Sequence, residues 1–304
     1  MPDGIYQTKT SAAPYPFPGV GPPNFVDPLV PVGINGLERP PGFFSAFEIG
    51  LIHPTINGEL VGTAPVSGVN VPVILAPANL DWTGAPRFTL GYHFASNAGS
   101  AVADYRLFAS EGTKDFATFG NFGAAFQTTR LDWQSIDLGY NTPDLAPQPL
   151  LDVRADLNLR IGAIYYDHFL RNSSFQQKAR NQFVGVGPVA AINATHRLGF
   201  LPQLALYGQI EGGVLIGGIE QSFEEIRSVG PNQFVGGARD ISETGAVPVF
   251  GVEAGLSFIP KRGSDWFRFT FGYVYEQWFG TGNAGLSSGD VYFQGLFFRG
   301  EFNY

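Results

Sequence analysis

The sequence predicts an all-β protein: an antiparallel up-and-down transmembrane barrel of about ten strands, preceded by an irregular Pro-rich arm. Three observations predict it. The first is the closing segment, Val291-Tyr-Phe-Gln-Gly-Leu-Phe-Phe-Arg-Gly-Glu-Phe-Asn-Tyr304. Its residues Tyr292, Leu296, Phe298, Phe302 and Tyr304 share one parity, and Arg299, Glu301 and Asn303 share the other. A strand with one apolar and one polar face suits lipid outside and a polar interior. The second is composition: only 14% of the residues are charged, against roughly 25% in ordinary soluble domains. Glycine contributes 40 residues and aromatics 14%. The third is the spacing of the alternating segments, whose connections are by turns short and long.

Composition also excludes whole classes of function. With 18 Lys and Arg against 26 Asp and Glu, the net charge of −8 argues against a nucleic-acid partner. The chain has no cysteine, which removes disulfides, thiolate metal sites and cysteine nucleophiles, and suits an oxidising envelope compartment. No run approaches the roughly 18 apolar residues of a transmembrane helix, so any crossing uses strands. The opening Met-Pro-Asp-Gly-Ile-Tyr lacks the basic and apolar regions of a signal peptide, so an exported protein is expected here in its mature form.

Residues 1–42 hold Pro14, Pro16, Pro18, Pro22, Pro23, Pro28, Pro31, Pro40 and Pro41 and show no period, which predicts an extended arm on the periplasmic side or a plug. The barrel is expected over residues 43–304. Period-2 alternation marks segments near 43–52, 86–95, 101–110, 129–140, 153–168, 182–197, 203–219, 246–259, 265–279 and 290–304. The connections 96–100, 141–152, 198–202 and 260–264 are mostly short, and 53–85, 111–128, 169–181 and 220–245 are mostly longer. Short periplasmic turns and long outer loops predict that asymmetry. The Pro-rich turn at 141–152 and the short loop at 280–289 depart from it.

Parity sorting supports the strands. In 265–279, Phe267, Phe269, Phe271, Tyr273, Tyr275 and Phe279 oppose Trp266, Arg268, Thr270, Glu276 and Trp278. In 153–165, Val153, Ala155, Leu157, Leu159, Ile161 and Ala163 oppose Arg154, Asp156, Asn158 and Arg160. A charge misplaced at mid-bilayer costs about 2–4 kcal/mol, so lipid enforces such sorting. One segment misfits: Arg130, Asp132 and Gln134 share a face with Ile136, Leu138 and Tyr140, which requires a bulge near Ser135. The stretch 69–76 reads as another strand or as a loop over the mouth, which keeps a twelve-strand count open.

Parity places Glu48, Arg87, Asp104, Arg106, Asp132, Arg154, Asp156, Arg160, Arg197, Glu211, Glu253, Arg268, Glu276, Arg299 and Glu301 in the lumen. Two readings follow. Ion pairs plug a narrow barrel, or facing acid and base walls line a narrow water-filled eyelet for small solutes. A barrel of eight strands just fills with side chains and one of 16 leaves a channel, so about ten strands lie between. A closed barrel would work as a structural or surface-binding protein, with Glu220, Glu224, Glu225, Asp240 and Glu243 as loop candidates. A remote alternative is a rim hydrolase built on His53, Asp167 and His168. Adjacent strand residues point to opposite faces, however, so Asp167 and His168 do not enter one site without a bulge. His93 and His196 lie near the other end. No phosphate loop, HExxH, GxSxG or calcium loop occurs. The expectation is a non-enzyme without metal or cofactor, with outer-membrane lipid and the barrel assembly machinery as partners; self-association into a homo-oligomer is compatible with the apolar faces.

Four stretches carry a family resemblance: Leu80-Asp-Trp-Thr-Gly-Ala-Pro-Arg-Phe-Thr-Leu-Gly-Tyr92, Asp104-Tyr-Arg-Leu-Phe-Ala-Ser-Glu-Gly112, Leu159-Arg-Ile-Gly-Ala-Ile-Tyr-Tyr166 and Phe183-Val-Gly-Val-Gly-Pro188. In pattern and order over residues 43–304 the chain resembles planctomycete outer-membrane β-barrel proteins and the related pore-forming, Legionella-type major outer membrane proteins. The resemblance implies an outer-membrane, porin-like barrel and brings no catalytic residues. The aromatic closing strand, with Phe298, Phe302 and Tyr304, also looks like the sorting signal of bacterial outer-membrane proteins.

Overall fold

The computed structural model describes residues 41–304 apart from 67–68, 118–123, 146–147, 149, 230–231 and 260–266. Residues 1–40 of the Pro-rich extension, the turn expected at 260–264 and Trp266 lie outside the described residues.

The strands are β1 Gly42–Val66, β2 Val69–Leu75, β3 Thr83–His93, β4 Ser100–Phe116, β5 Ala125–Asn141, β6 Leu151–Asn172, β7 Phe175–Leu198, β8 Leu201–Val229, β9 Asn232–Phe258, β10 Phe267–Trp278 and β11 Ser288–Asn303. Neighbours pair antiparallel in the order β11 to β3, then β1 and β2, and a β11–β1 ladder joins the ends. Ten strands therefore close the ring. The stretch 69–76 supplies β2, which pairs with the outer part of β1 in a hairpin that is not a member of the ring and whose Leu60 and Leu75 are buried in the interior cluster with Phe223 of β8. Closure runs from Phe44 opposite Asn303 to Glu59 opposite Ser288. Beyond it, the Tyr304 N–H donates to the Phe43 carbonyl at 2.9 Å.

A barrel strand needs roughly 9–11 residues to cross a bilayer. Strands β6, β7, β8 and β9 run to 22, 24, 29 and 27 residues. The surplus stands at the end of the ring opposite Tyr304, so the segments expected as long outer loops are largely strand. Between β6 and β7 only residues 173–174 turn. The expected loops concealed strands because alternation continues there with its chemistry reversed. Along β6 the outward face runs Leu157, Leu159 and Ile161, then Asp167 and Arg171. Its inward face runs Asp156, Asn158 and Arg160, then Ile164, Tyr166, His168 and Leu170. The exchange falls near Gly162 with no change of parity. A Cβ at Gly162 would run into the Trp278 ring, so glycine here makes room for a fully buried tryptophan.

The same reversal resolves the misfit on β5. Its ladders with β4 and β6 run unbroken from Ala125 to Asn141, so no bulge forms near Ser135. Leu131, Trp133, Ser135 and Asp137 are buried inside, and Arg130 and Gln134 are exposed outside. Asp132, expected in the lumen, pairs with Arg130 on the outer surface at 3.0 Å, above the belt formed by Ile136, Leu138 and Tyr140. It tolerates that face because water, not lipid, surrounds it.

Candidate functional site

The interior is layered along the barrel axis. At the inner end lies a polar cavity of about 160 Å³, lined by Asp152, Arg154, Asp156, Asn193, Arg268 and Glu301 among others. Arg154 forks onto Asp152 at 2.8 and 2.6 Å, and Asn193 donates to Asp156. Arg197 stands nearby, with its backbone N–H on the Leu150 carbonyl at 2.7 Å.

Above the cavity is a layer of buried ion pairs. Arg160 is 0% exposed and forks onto Asp137 at 2.7 and 2.8 Å. It also reaches Glu211 at 3.0 Å and Glu276 at 3.2 Å. Glu276 further accepts from Arg106 at 2.7 Å and from the Trp278 indole at 2.7 Å. A second cluster joins Arg87 to Asp104 at 2.8 Å and to Glu253 at 3.1 Å, and Arg299 to Glu48 at 2.6 Å and to Glu253 at 2.8 Å. Tyr207 donates to Glu253 at 3.1 Å. Charge-assisted, partly bidentate bonds of this kind offset the desolvation of the ions only while every partner is present. Asp137, a central member, is absent from the lumen residues expected from the sequence, which placed Asp132 inside on this strand instead.

Next comes an apolar layer. Trp133 stacks on Phe108 with ring centroids 5.2 Å apart and meets Trp278 edge-on at 5.8 Å and Phe293 at 5.2 Å. Ile164, Phe183, Leu215, Val291 and Phe297 are fully buried around them. Arg106 lies over the Trp133 ring at 5.2 Å and ties the two layers together.

The outer mouth is crossed by chain. Residues 76–82, which lead from β2 to β3, bond to inward side chains: the Ala78 N–H donates to Thr129 Oγ1 at 2.8 Å, Gln127 donates to the Ala76 carbonyl, and Ser110 to the Asp81 carbonyl at 2.7 Å. The loop 279–287 enters from the other side. Its Thr281 and Gly282 carbonyls accept from Asn181 at 3.0 Å and Gln221 at 2.7 Å, and its Ser287 Oγ accepts from the Val61 N–H at 2.9 Å. Gly285 holds φ +60° in that loop, a turn glycine suits.

The rim residues do not converge. His53 faces outward against Trp82, with ring centroids 5.4 Å apart. His168 faces inward, fully buried, with Nδ1 3.0 Å from Thr129 Oγ1. Burial pushes its pKa down to about 4. Asp167 lies outside, 4.0 Å from Lys178. His93 stacks on Phe44 at the inner end. Of the loop acids, Glu220, Glu224, Asp240 and Glu243 are exposed, whereas Glu225 is buried and bonded to Gln177 at 2.6 Å, which removes it from any outer binding face. Phe298, Phe302 and Tyr304 face outward.

A family model described as "Legionella pneumophila major outer membrane protein precursor" matches residues 150–303, which is β6 to β11. No curated protein sequence matches. Among solved structures, the outer membrane protease OmpT from Escherichia coli is similar with a TM-score of 0.53 and 8% identity, over 88% of this chain and 100% of that one. Neisserial surface protein A gives a TM-score of 0.29 at 12% identity, over 86% and 97% of the two chains. The likeness to the protease is one of fold.

Proposed function

The chain belongs to the Legionella major outer membrane protein family and lies in the bacterial outer membrane, and from that premise we propose that it is a closed barrel with a structural or surface-binding role. One observation carries the reading: the centre of the cross-section is filled by Arg160 and Trp278, each 0% exposed, one bonded into the carboxylates and the other packed among rings. A solute crossing there would have to break ion pairs that lose several kcal/mol when one partner is removed. The geometry favours this reading over passive passage of small solutes along the lumen. The outer extension then supplies the working surface, with Arg130, Arg180, Glu220, Glu224 and Asp240 exposed on its wall.

Liposome swelling tests it. Vesicles holding the folded full-length chain are expected to swell no faster than empty vesicles in isotonic arabinose, glycine or sodium chloride. Swelling that falls with solute size would replace this reading with a porin.

A further inference from the structure

On the outer wall above the belt, charge often meets charge: Arg130 pairs with Asp132 at 3.0 Å, and Lys178 lies 4.0 Å from Asp167. One stretch of that wall departs from the habit. Among the described residues, no hydrogen bond or ion pair engages the exposed side chains of Arg180, Gln182, Glu220 and Asp240, although a base and two acids stand together there.

They border a groove of about 420 Å³. The ladders fix its plan. Arg180 of β7 lies opposite Ser222 of β8, which lies opposite Asp240 of β9. One outward row nearer the bilayer, Gln182 lies opposite Glu220 and Glu220 opposite Ser242, with Tyr165 of β6 beyond Gln182. Ser222 and Ser242 are the short members of these rows, so the floor lies over them and the longer side chains form the walls. Gln221 and Ile241 complete the lining, and their side chains are engaged inside, Gln221 with Asn181 at 2.9 Å and Ile241 against the interior cluster. The ladders are unbroken here, so the groove rests on strands, which hold a site more precisely than loops do.

Position and chemistry identify the occupant. The outward apolar run ends at Ala163 on β6 and at Val184 on β7, after the roughly 9–11 residues that a bilayer requires. Tyr165 and Gln182 are the next outward positions, and on β8 Glu220 follows Ile216 and Gly218. The groove thus begins where the hydrocarbon ends, at the height of the lipid headgroups. Two carboxylates against one guanidinium repel a bare anion, and the guanidinium repels a metal cation. What remains is a set of open acceptors on Glu220 and Asp240, open donors on Arg180 and Gln182, and two serine hydroxyls that do both. A sugar matches that set, because each ring hydroxyl donates to one group and accepts from another, and bonds to the charged groups are the strong ones. Tyr165 adds an aromatic ring at the margin for the C–H face of a pyranose. We propose that this groove binds a pyranose sugar in the headgroup of an outer-leaflet glycolipid. The inference rests on the surface-binding reading above, whose partner it names, and does not require a closed lumen.

Native mass spectrometry tests it on the folded full-length protein in detergent micelles holding equal amounts of diglucosyldiacylglycerol and phosphatidylglycerol with matched acyl chains. The protein is expected to retain the glycolipid about tenfold over the phospholipid, the discrimination that one charge-assisted hydrogen bond supplies. Arg180→Ala with Asp240→Ala is expected to remove the preference. Ser222→Trp, which fills the floor, is expected to do the same, whereas Arg171→Ala, outward but away from the groove, keeps it. Heat-shifted electrophoretic mobility shows that each variant is folded. Equal retention of the two lipids, or a preference that survives in folded Ser222→Trp protein, would overturn the proposal. So would displacement of the glycolipid by an equal concentration of soluble diglucosylglycerol, because the site would then take free saccharide. Liposome swelling with the same preparation reports on the lumen separately: a protein that prefers the glycolipid and also lets solutes through keeps the groove and loses the closed barrel.

Discussion

Two regions of the same strands obey opposite rules. Where β5 and β6 cross the bilayer, Ile136, Leu138, Leu157 and Leu159 are exposed on the outside while Asp137 and Arg160 are buried inside. A few residues further along, with parity unchanged, Arg130 and Arg171 are outside and Leu131, Ile164 and Leu170 inside. The backbone is equally regular in both regions, so the strand does not determine which face is apolar. The surroundings do. Lipid excludes charge from the outer face and sends it to the lumen, whereas water beyond the bilayer lets charge outside and collects the apolar residues within. The barrel thus has a polar core in the membrane and an ordinary hydrophobic core above it.

The largest expected effect falls on the polar core. Arg160→Leu leaves Asp137, Glu211 and Glu276 without their shared cation, and breaking a buried pair from one side costs about 3–5 kcal/mol. Urea unfolding in lipid vesicles should show that loss, and a change under 1 kcal/mol would mean that the layer is hydrated. The two rules are next compared on one face of one strand. Ile136→Arg, in the belt, should cost about 2–4 kcal/mol, while Gln134→Arg, one outward position higher, should stay within about 0.5 kcal/mol. Equal costs would remove the boundary drawn between them.

A pH-dependent effect concerns the upper core and comes from His168. Its folded pKa of about 4 lies below the ordinary 6.5, so the unfolded chain binds the proton more readily. The penalty is absent well above pH 6.5, grows as pH falls through that value, and levels off below about 4. It should reach about 1.4 kcal/mol by pH 5.5. His168→Gln should flatten that part of the stability profile, and an unchanged slope would place the histidine in water.

Much of this was legible in the sequence, within limits set by the same two rules. The ten ring strands and the inward placement of Arg160, Glu211, Glu253, Glu276 and Arg299 follow from period-2 sorting with lipid outside. That assumption holds only across the bilayer. It made Asp132 a lumen residue, read His168 as part of a rim, and turned the upper halves of β8 and β9 into an acidic loop, because a polar outward face signals a loop when lipid is taken to be outside. Nor could alternation show that residues 76–82 and 279–287 turn back into the mouth. Their anchors, Thr129 and Gln127 on one side and Asn181 and Gln221 on the other, meet backbone carbonyls and N–H groups far away in sequence.

The most direct measurement is single-channel current from the folded full-length protein in a planar bilayer. With Arg160 and Trp278 filling the cross-section, the trace should stay at the level of the bare membrane at every voltage that the bilayer survives. Discrete, reproducible conductance steps would contradict the closed lumen and make the buried ion pairs the lining of a pore.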